Sequence, residues 1–275
     1  MRAPLWIVVA FVLAASLSCT GTTGFDLVTF GAEASGASDA VAGQPYAFDV
    51  GSAHVVLTRA LLHVGALYFT QSVPTSGGGP APCTLPGTYS GAFVGEVRGG
   101  ATVDLLNPSA QPLAVTGDGS TIPAVSAQVW LTYGNVNASN DSSESQPILT
   151  LEGSVASNGP TQSFSALLWI DPSRQPTPPP NSLPGEDPIC LLRIVSGISV
   201  NITFAQGGTL LLRVDPKALF NNVDFAQLPT TGCDPSMPAD LCFTNDESNQ
   251  PSTNLFQNLV AAGPVYAFEW QPPVR

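Results

Sequence analysis

No stretch of this chain sustains a hydrophobic repeat of helical period for more than about three turns, because punctuation interrupts it. Prolines and glycines, 26 of each, are scattered along the 275 residues. Proline removes a backbone donor and glycine packs no side chain, so each ends or weakens a long element. What survives between them are short runs of apolar, β-branched and aromatic residues. Apolar residues make up 44% of the chain, ample material for a core. Many short strands joined by turns predict an all-β fold, a two-layer antiparallel sandwich of Ig-like or jelly-roll-like kind, with long loops and one short helix.

The predicted strands are Phe25 to Phe30, Tyr46 to Val50, Val55 to Phe69, Tyr89 to Val97, Ala101 to Leu106, Ala127 to Tyr133 and Ile148 to Val155. Gln162 to Ile170, Leu191 to Phe204, Thr209 to Val214 and Val265 to Trp270 continue the series. Turn chemistry fills the gaps, as in Ser76-Gly77-Gly78-Gly79-Pro80, Gly117-Asp118-Gly119 and Gly207-Gly208. Pro216 to Leu228 reads as the helix, with Asp215 as its cap and Pro216 at a first helical position. Asn135 to Gln146, polar and small, and Pro172 to Pro188, with seven prolines, read as long solvated loops.

The first residues, MRAPLWIVVAFVLAASLSCTG, carry a positive start at Arg2, an apolar run of 13 residues from Leu5 to Leu17, and a small-residue junction. That is the layout of a cleaved export signal. As a helix the run is roughly 20 Å long, short of the roughly 30 Å hydrocarbon core of a bilayer. Ser16-Leu17-Ser18-Cys19 resembles the lipobox of bacterial lipoproteins, which implies cleavage before Cys19, acylation of that residue and a stable anchor. The usual leucine three places before the cysteine is Ser16 here, so ordinary cleavage after Ser18, and hence secretion, is the alternative. The expected organisation is a signal peptide over 1–18, a tether over 19–24 and one domain over 25–275, located in the bacterial cell envelope at the outer membrane or periplasmic face.

Without residues 1–18 the chain keeps 7 basic and 20 acidic residues, a net charge of 7 − 20 = −13. Such a chain repels nucleic acid and anionic headgroups, which leaves the lipid anchor, a protein or a small molecule as partners. Cys83, Cys190, Cys233 and Cys242 are an even number in an exported chain, so two disulfides are expected, with Cys233–Cys242 and Cys83–Cys190 the favoured pairing of three. A four-cysteine zinc site lacks any CxxC pair.

Motifs for catalysis are missing: there is no GxSxG, HExxH, SxxK or phosphate-binding glycine loop, and no DxDxDG calcium loop. Any histidine mechanism must use His54 or His63, the only two. Nine residues apart, on one continuous strand they face opposite ways and make a poor metal pair unless the strand breaks between them. Arg59 and His63 share a face, which suits a polar patch completed by an acid from a neighbouring strand. Asp234, Asp240, Asp246 and Glu247 cluster around the Cys233 to Cys242 loop and offer oxygen ligands to calcium. Trp130, Trp169 and Trp270 lie in strand-like runs, with core packing the default and a carbohydrate-stacking surface the functional alternative. Arg213, Asp215 and Asp224 are explained by an ion pair or helix caps.

The segments TGCDPSMPADLCFTN, ending at Asn245, and VVLTRALLHVGALYF resemble the four-cysteine, methanobactin-associated group of periplasmic proteins. The resemblance implies a β-rich envelope protein with two disulfides and, as an alternative function, copper handling. A second resemblance, to myxobacterial-type surface lipoproteins, implies no activity. Copper wants three or four imidazole, thiolate or thioether groups, and this chain offers His54, His63, Met237 and cysteines expected to be oxidised. The expected function is a non-enzymatic binding or structural module without a cofactor. Copper handling comes second and a hydrolase using His63 third, with calcium or copper as the alternative to no cofactor.

Overall fold

The computed structural model describes residues 26–72, 93–132, 146–157, 159–170, 193–231, 233–245 and 248–273. In chain order the strands are β1 (Leu27–Ser35), β2 (Tyr46–Val50), β3 (Ala53–Val64), β4 (Leu67–Thr70), β5 (Phe93–Val97), β6 (Ala101–Asp104), β7 (Gln111–Pro112) and β8 (Gly117–Ser120). They continue as β9 (Ala124–Trp130), β10 (Leu149–Ala156), β11 (Gln162–Leu168), β12 (Ile194–Ile202), β13 (Thr209–Val214), β14 (Leu241–Phe243) and β15 (Tyr266–Gln271). One sheet runs β12-β9-β4-β5-β8-β1-β13-β15 with β7 beside β1, the other β14-β11-β10-β3-β2 with β6 beside β3. The two pack as a sandwich on a shared core that includes Phe30, Leu57, Leu62, Phe69, Phe164 and Phe204. Most pairings are antiparallel, as expected; β1 with β13 and β11 with β14 are parallel, which requires long crossovers in place of hairpins.

Three readings of the sequence are corrected. Val55 to Phe69 is two strands, since β3 belongs to the smaller sheet and β4 to the larger. The chain changes layer at Gly65, whose N–H donates to the Trp130 carbonyl at 2.7 Å and whose missing β-carbon admits Thr132. Gly117-Asp118-Gly119 is not a turn but the body of β8, paired with β1 and β5. Its glycines face the rings of Phe30 and Phe204, which fill the space that side chains would take.

The third correction concerns helices. Pro216 to Leu228 folds as two 3-10 turns, Pro216–Phe220 and Phe225–Gln227, capped by Asp215 and Asp224. Between them Asn222 takes a left-handed φ of 59°, which ends any continuous helix. The α-helix, α1, spans Gln250–Val260. Asn249 caps it by accepting from the Ser252 N–H at 2.9 Å, Pro251 sits in the first turn, and Leu255, Phe256 and Leu259 are buried. Its amides at Gln250, Asn254 and Asn258 lie one turn apart and donate to carbonyls of Leu219, Asn221 and Asn222 at 2.6 to 2.9 Å. The turns and α1 close one end of the sandwich, where Phe164, Phe220, Phe225 and Phe243 pack ring against ring.

Candidate functional site

The outer face of the smaller sheet carries His54, Arg59 and His63, and a bulge in β3 brings them to that one face. Glu152 pairs with Arg59 and Gly153 with Leu57, so Thr58 is an extra residue on β3. Burial follows the shift: Ala53, Val55 and Leu57 face the core before it, Ala60, Leu62 and Val64 after it. One added residue reverses the parity of everything beyond. His54 and His63 therefore share the outer face, where an unbroken strand would have set them on opposite faces. They remain roughly 25–30 Å apart at ~3.3 Å per residue, too far for one metal ion.

His54 Nδ1 lies 2.8 Å from Asp49 Oδ1 at an exposed edge. His63 is buried, its Nδ1 2.9 Å from the Thr102 hydroxyl on β6, and burial lowers its pKa to about 4, so the ring is neutral at pH 7. Arg59 Nη1 donates to Glu152 Oε1 at 2.8 Å, the expected acid from a neighbouring strand. Registers place Arg59, Glu152, Ser165 and Cys242 in one cross-strand row of this face, with Leu61, Thr150 and Leu167 in the next.

Cys233 and Cys242 form the predicted disulfide, Cα to Cα 5.2 Å. The loop it closes is held from within and from β11. Asp240 Oδ2 accepts from the Ser163 N–H and hydroxyl, both at 2.8 Å, and the Ser165 hydroxyl donates to the Met237 carbonyl at 3.1 Å. Asp234 Oδ1 accepts from the Ser236 N–H at 2.8 Å and hydroxyl at 2.6 Å. These bonds hold both carboxyls below their usual pKa. Asp234 and Asp240 thus act as loop clamps, and among the described residues no three His, Cys, Asp or Glu side chains converge. Asp246, Glu247, Cys19, Cys83 and Cys190 lie outside the described residues.

Beside the disulfide opens a cleft of about 500 Å³, lined among others by Leu167, Trp169, Cys233, Asp234, Cys242 and Asn245. Alternation along β11 builds its floor: Phe164, Ala166 and Leu168 turn into the core, leaving Ser165 and Leu167 outward. Trp169, just beyond β11, continues the outward set and is half-buried, and its backbone N–H donates to the Asn245 side-chain oxygen at 2.9 Å. Trp130 instead packs on Tyr68, ring centroids 5.0 Å apart, and Trp270 sits edge-on to Phe30 and Phe204. Of the three tryptophans read from the sequence, Trp169 is the one in the cleft. The alternation in QSFSALLW carried the signal for its orientation.

Arg213 donates to Ser35 and, from Nη2, to Glu269 at 3.1 Å, and Asp215 accepts from the Lys217 N–H, so an ion pair and a cap account for them. A smaller cavity of about 170 Å³ lies beside them, with Asp39 on its rim. Tyr46 donates to Asp39 at 2.8 Å, and burial raises the Asp215 carboxyl above its usual pKa. Sequence reasoning passed over Arg193, a fully buried residue whose guanidinium donates twice to the Ile170 carbonyl and so joins the end of β11 to the start of β12. Among the described residues no helix is long and apolar enough to cross a membrane.

Comparison with protein-family models gives no match, and comparison with curated proteins gives none. A solved structure, MbnP from Methylosinus trichosporium, aligns over 90% of this chain and 99% of its own at 12% identity, with a TM-score of 0.36.

Proposed function

We propose that this chain is an exported, lipid-anchored protein of the bacterial cell envelope that acts as a non-enzymatic binding module, and that its ligand docks in the cleft beside the disulfide. The observation that carries the reading is the cleft itself. Its volume of about 500 Å³ is that of small-molecule sites, and it joins an apolar floor to a few polar groups. Its walls are held before any ligand arrives, by the disulfide, the Asp240–Ser163 clamp and the bond from the Thr244 N–H to the Ser252 hydroxyl. A preformed site loses less entropy on binding.

Titrating the labelled protein with a library of small fragments tests the reading by NMR. Shifts should converge on Leu167, Trp169, Thr244 and Asn245; shifts scattered over the surface, or none, would overturn it. Anchoring is tested separately by Cys19→Ser, which should move the protein out of the membrane fraction. Retention of that variant through a carbonate wash would refute lipid attachment. Copper handling, which the sequence resemblance implies, stands second because the two histidines lie so far apart. Stoichiometric copper in protein taken from the periplasm, lost in His54→Ala or His63→Ala, would put it first.

A further inference from the structure

The geometry points to a neutral saccharide as the ligand of this cleft, with a sugar ring stacked on the indole of Trp169 and its hydroxyls bonded to Asp234 and its neighbours; the inference rests on the binding-module reading above. Three observations converge. First, Trp169 stands at the end of the outward set of β11, beside Leu167, so the floor of the cleft is an aromatic and aliphatic platform. A pyranose presents a matching apolar face of C–H groups, and a ring that is apolar on one side and polar at its rim suits an aromatic platform with polar neighbours.

Second, the polar groups sit where a stacked ring would turn its hydroxyls. Asp234 lines the cleft, and Ser236 engages its Oδ1 alone, leaving Oδ2 with no hydrogen bond among the described residues. A carboxylate oxygen accepts from two sugar hydroxyls at once, and such charge-assisted bonds are stronger than neutral ones. Asn245 and Thr244 stand on the same rim.

Third, charge and shape exclude the competing classes. No Lys, Arg or His is among the described residues that line the cleft, and the chain carries a net charge of −12, so phosphorylated or carboxylated ligands meet the Asp234 carboxylate with no cation among those residues to offset it. A purely apolar ligand would strip water from Asp234 and return no hydrogen bond. The cleft is open to solvent, which lets a glycan chain enter while the rest of it remains in water.

Calorimetric titration of the full chain with cellohexaose, maltohexaose and chitohexaose tests the inference. At least one should bind with a dissociation constant between about 10 μM and 1 mM, a modest range fitting an open, partly wet site. Trp169→Ala should weaken that binding at least tenfold, and Asp234→Asn, which keeps an Oδ1 acceptor for Ser236 while removing the charge, at least threefold. No binding by any of the three, or binding that neither variant changes, would overturn the saccharide assignment. The fragment titration keeps the two claims apart. Fragments that converge on the cleft while the hexaoses fail would leave the binding-module reading standing and remove the sugar.

Discussion

The ring of Phe204 fills the space that a side chain at Gly95 would need: a β-carbon at that glycine would lie inside the ring's contact distance, and one at Gly119, its partner across β5 and β8, would come within 2.9 Å of the same ring. Phe204 in turn stacks on Phe30 with centroids 4.6 Å apart. The glycines of β5 and β8 are therefore packing residues, and the two rings supply the bulk that those strands lack.

Gly95→Ala should cost about 1–3 kcal/mol, because an added methyl in a filled core displaces a ring or the backbone. Gly263→Ala serves as the control, since nothing lies within 4 Å of its β-carbon position. Chemical denaturation of the two variants checks the pair. A Gly95→Ala protein as stable as wild type would mean that Phe204 does not occupy that space.

Asn258 holds the helix to the turns by donating to Leu219 at 2.9 Å and to Asn221 at 2.8 Å. Asn258→Ala leaves both carbonyls short of a donor and should destabilise the protein by about 1–2 kcal/mol. Hydrogen exchange should quicken in Gln250–Val260 more than in β3 or β10. Uniform quickening across the molecule would contradict this local role.

His63 gives a pH dependence whose sign follows from burial. Its folded pKa of about 4 lies below the ordinary 6.5, so the unfolded chain binds this proton more readily, and stability falls as pH drops from about 6.5 to about 4. The loss is about 2 kcal/mol, less than the full shift implies because solvent screens part of it. Asp215 works the other way, since burial raises its pKa and protonation then favours the folded chain. The difference between wild type and His63→Gln isolates the histidine: melting temperatures should converge as pH falls through that window. A constant gap between them would refute the assignment.

The Cys233–Cys242 disulfide closes a ten-residue loop, worth about 2.7 kcal/mol as an upper figure in the chain-entropy model. Reduction, or Cys233→Ser with Cys242→Ser, should lower the melting temperature and loosen the cleft wall together. Iodoacetamide should leave both cysteines unlabelled in the intact protein and label both after reduction. Labelling of the intact pair would show that they are not bridged in solution.

Much of the sandwich was legible in the chain because strand patterns are local. Tyr46 to Val50 and Thr209 to Val214 keep the bounds read from their sequence, and the nearest pair of cysteines is bridged. The α-helix at Gln250–Val260 was present in the sequence too, in the Asn249 cap, Pro251 and the spacing of Leu255, Phe256 and Leu259. It went unread because Asp215-Pro216 offered the same start signal earlier, and only the left-handed Asn222 shows that no helix continues there.

By itself the sequence determined the class of fold, carried the alternation that turns Trp169 away from the core, and favoured the pairing of Cys233 with Cys242. Those follow from period-two patterning and short-range chain closure, which depend on near neighbours alone. Tertiary structure decided that His54 and His63 share a face, that Val55 to Phe69 crosses between layers, that two glycines and an aspartate make a strand, and that Asp240 clamps a loop. Each depends on a partner distant in sequence: Glu152 and Gly153 set the bulge at Thr58, Trp130 and Thr132 receive Gly65, Phe204 fills the space over Gly119, and Ser163 holds Asp240. A parity or a turn read from local residues is overturned when a distant strand supplies one extra residue or a ring to fill an empty side chain's place.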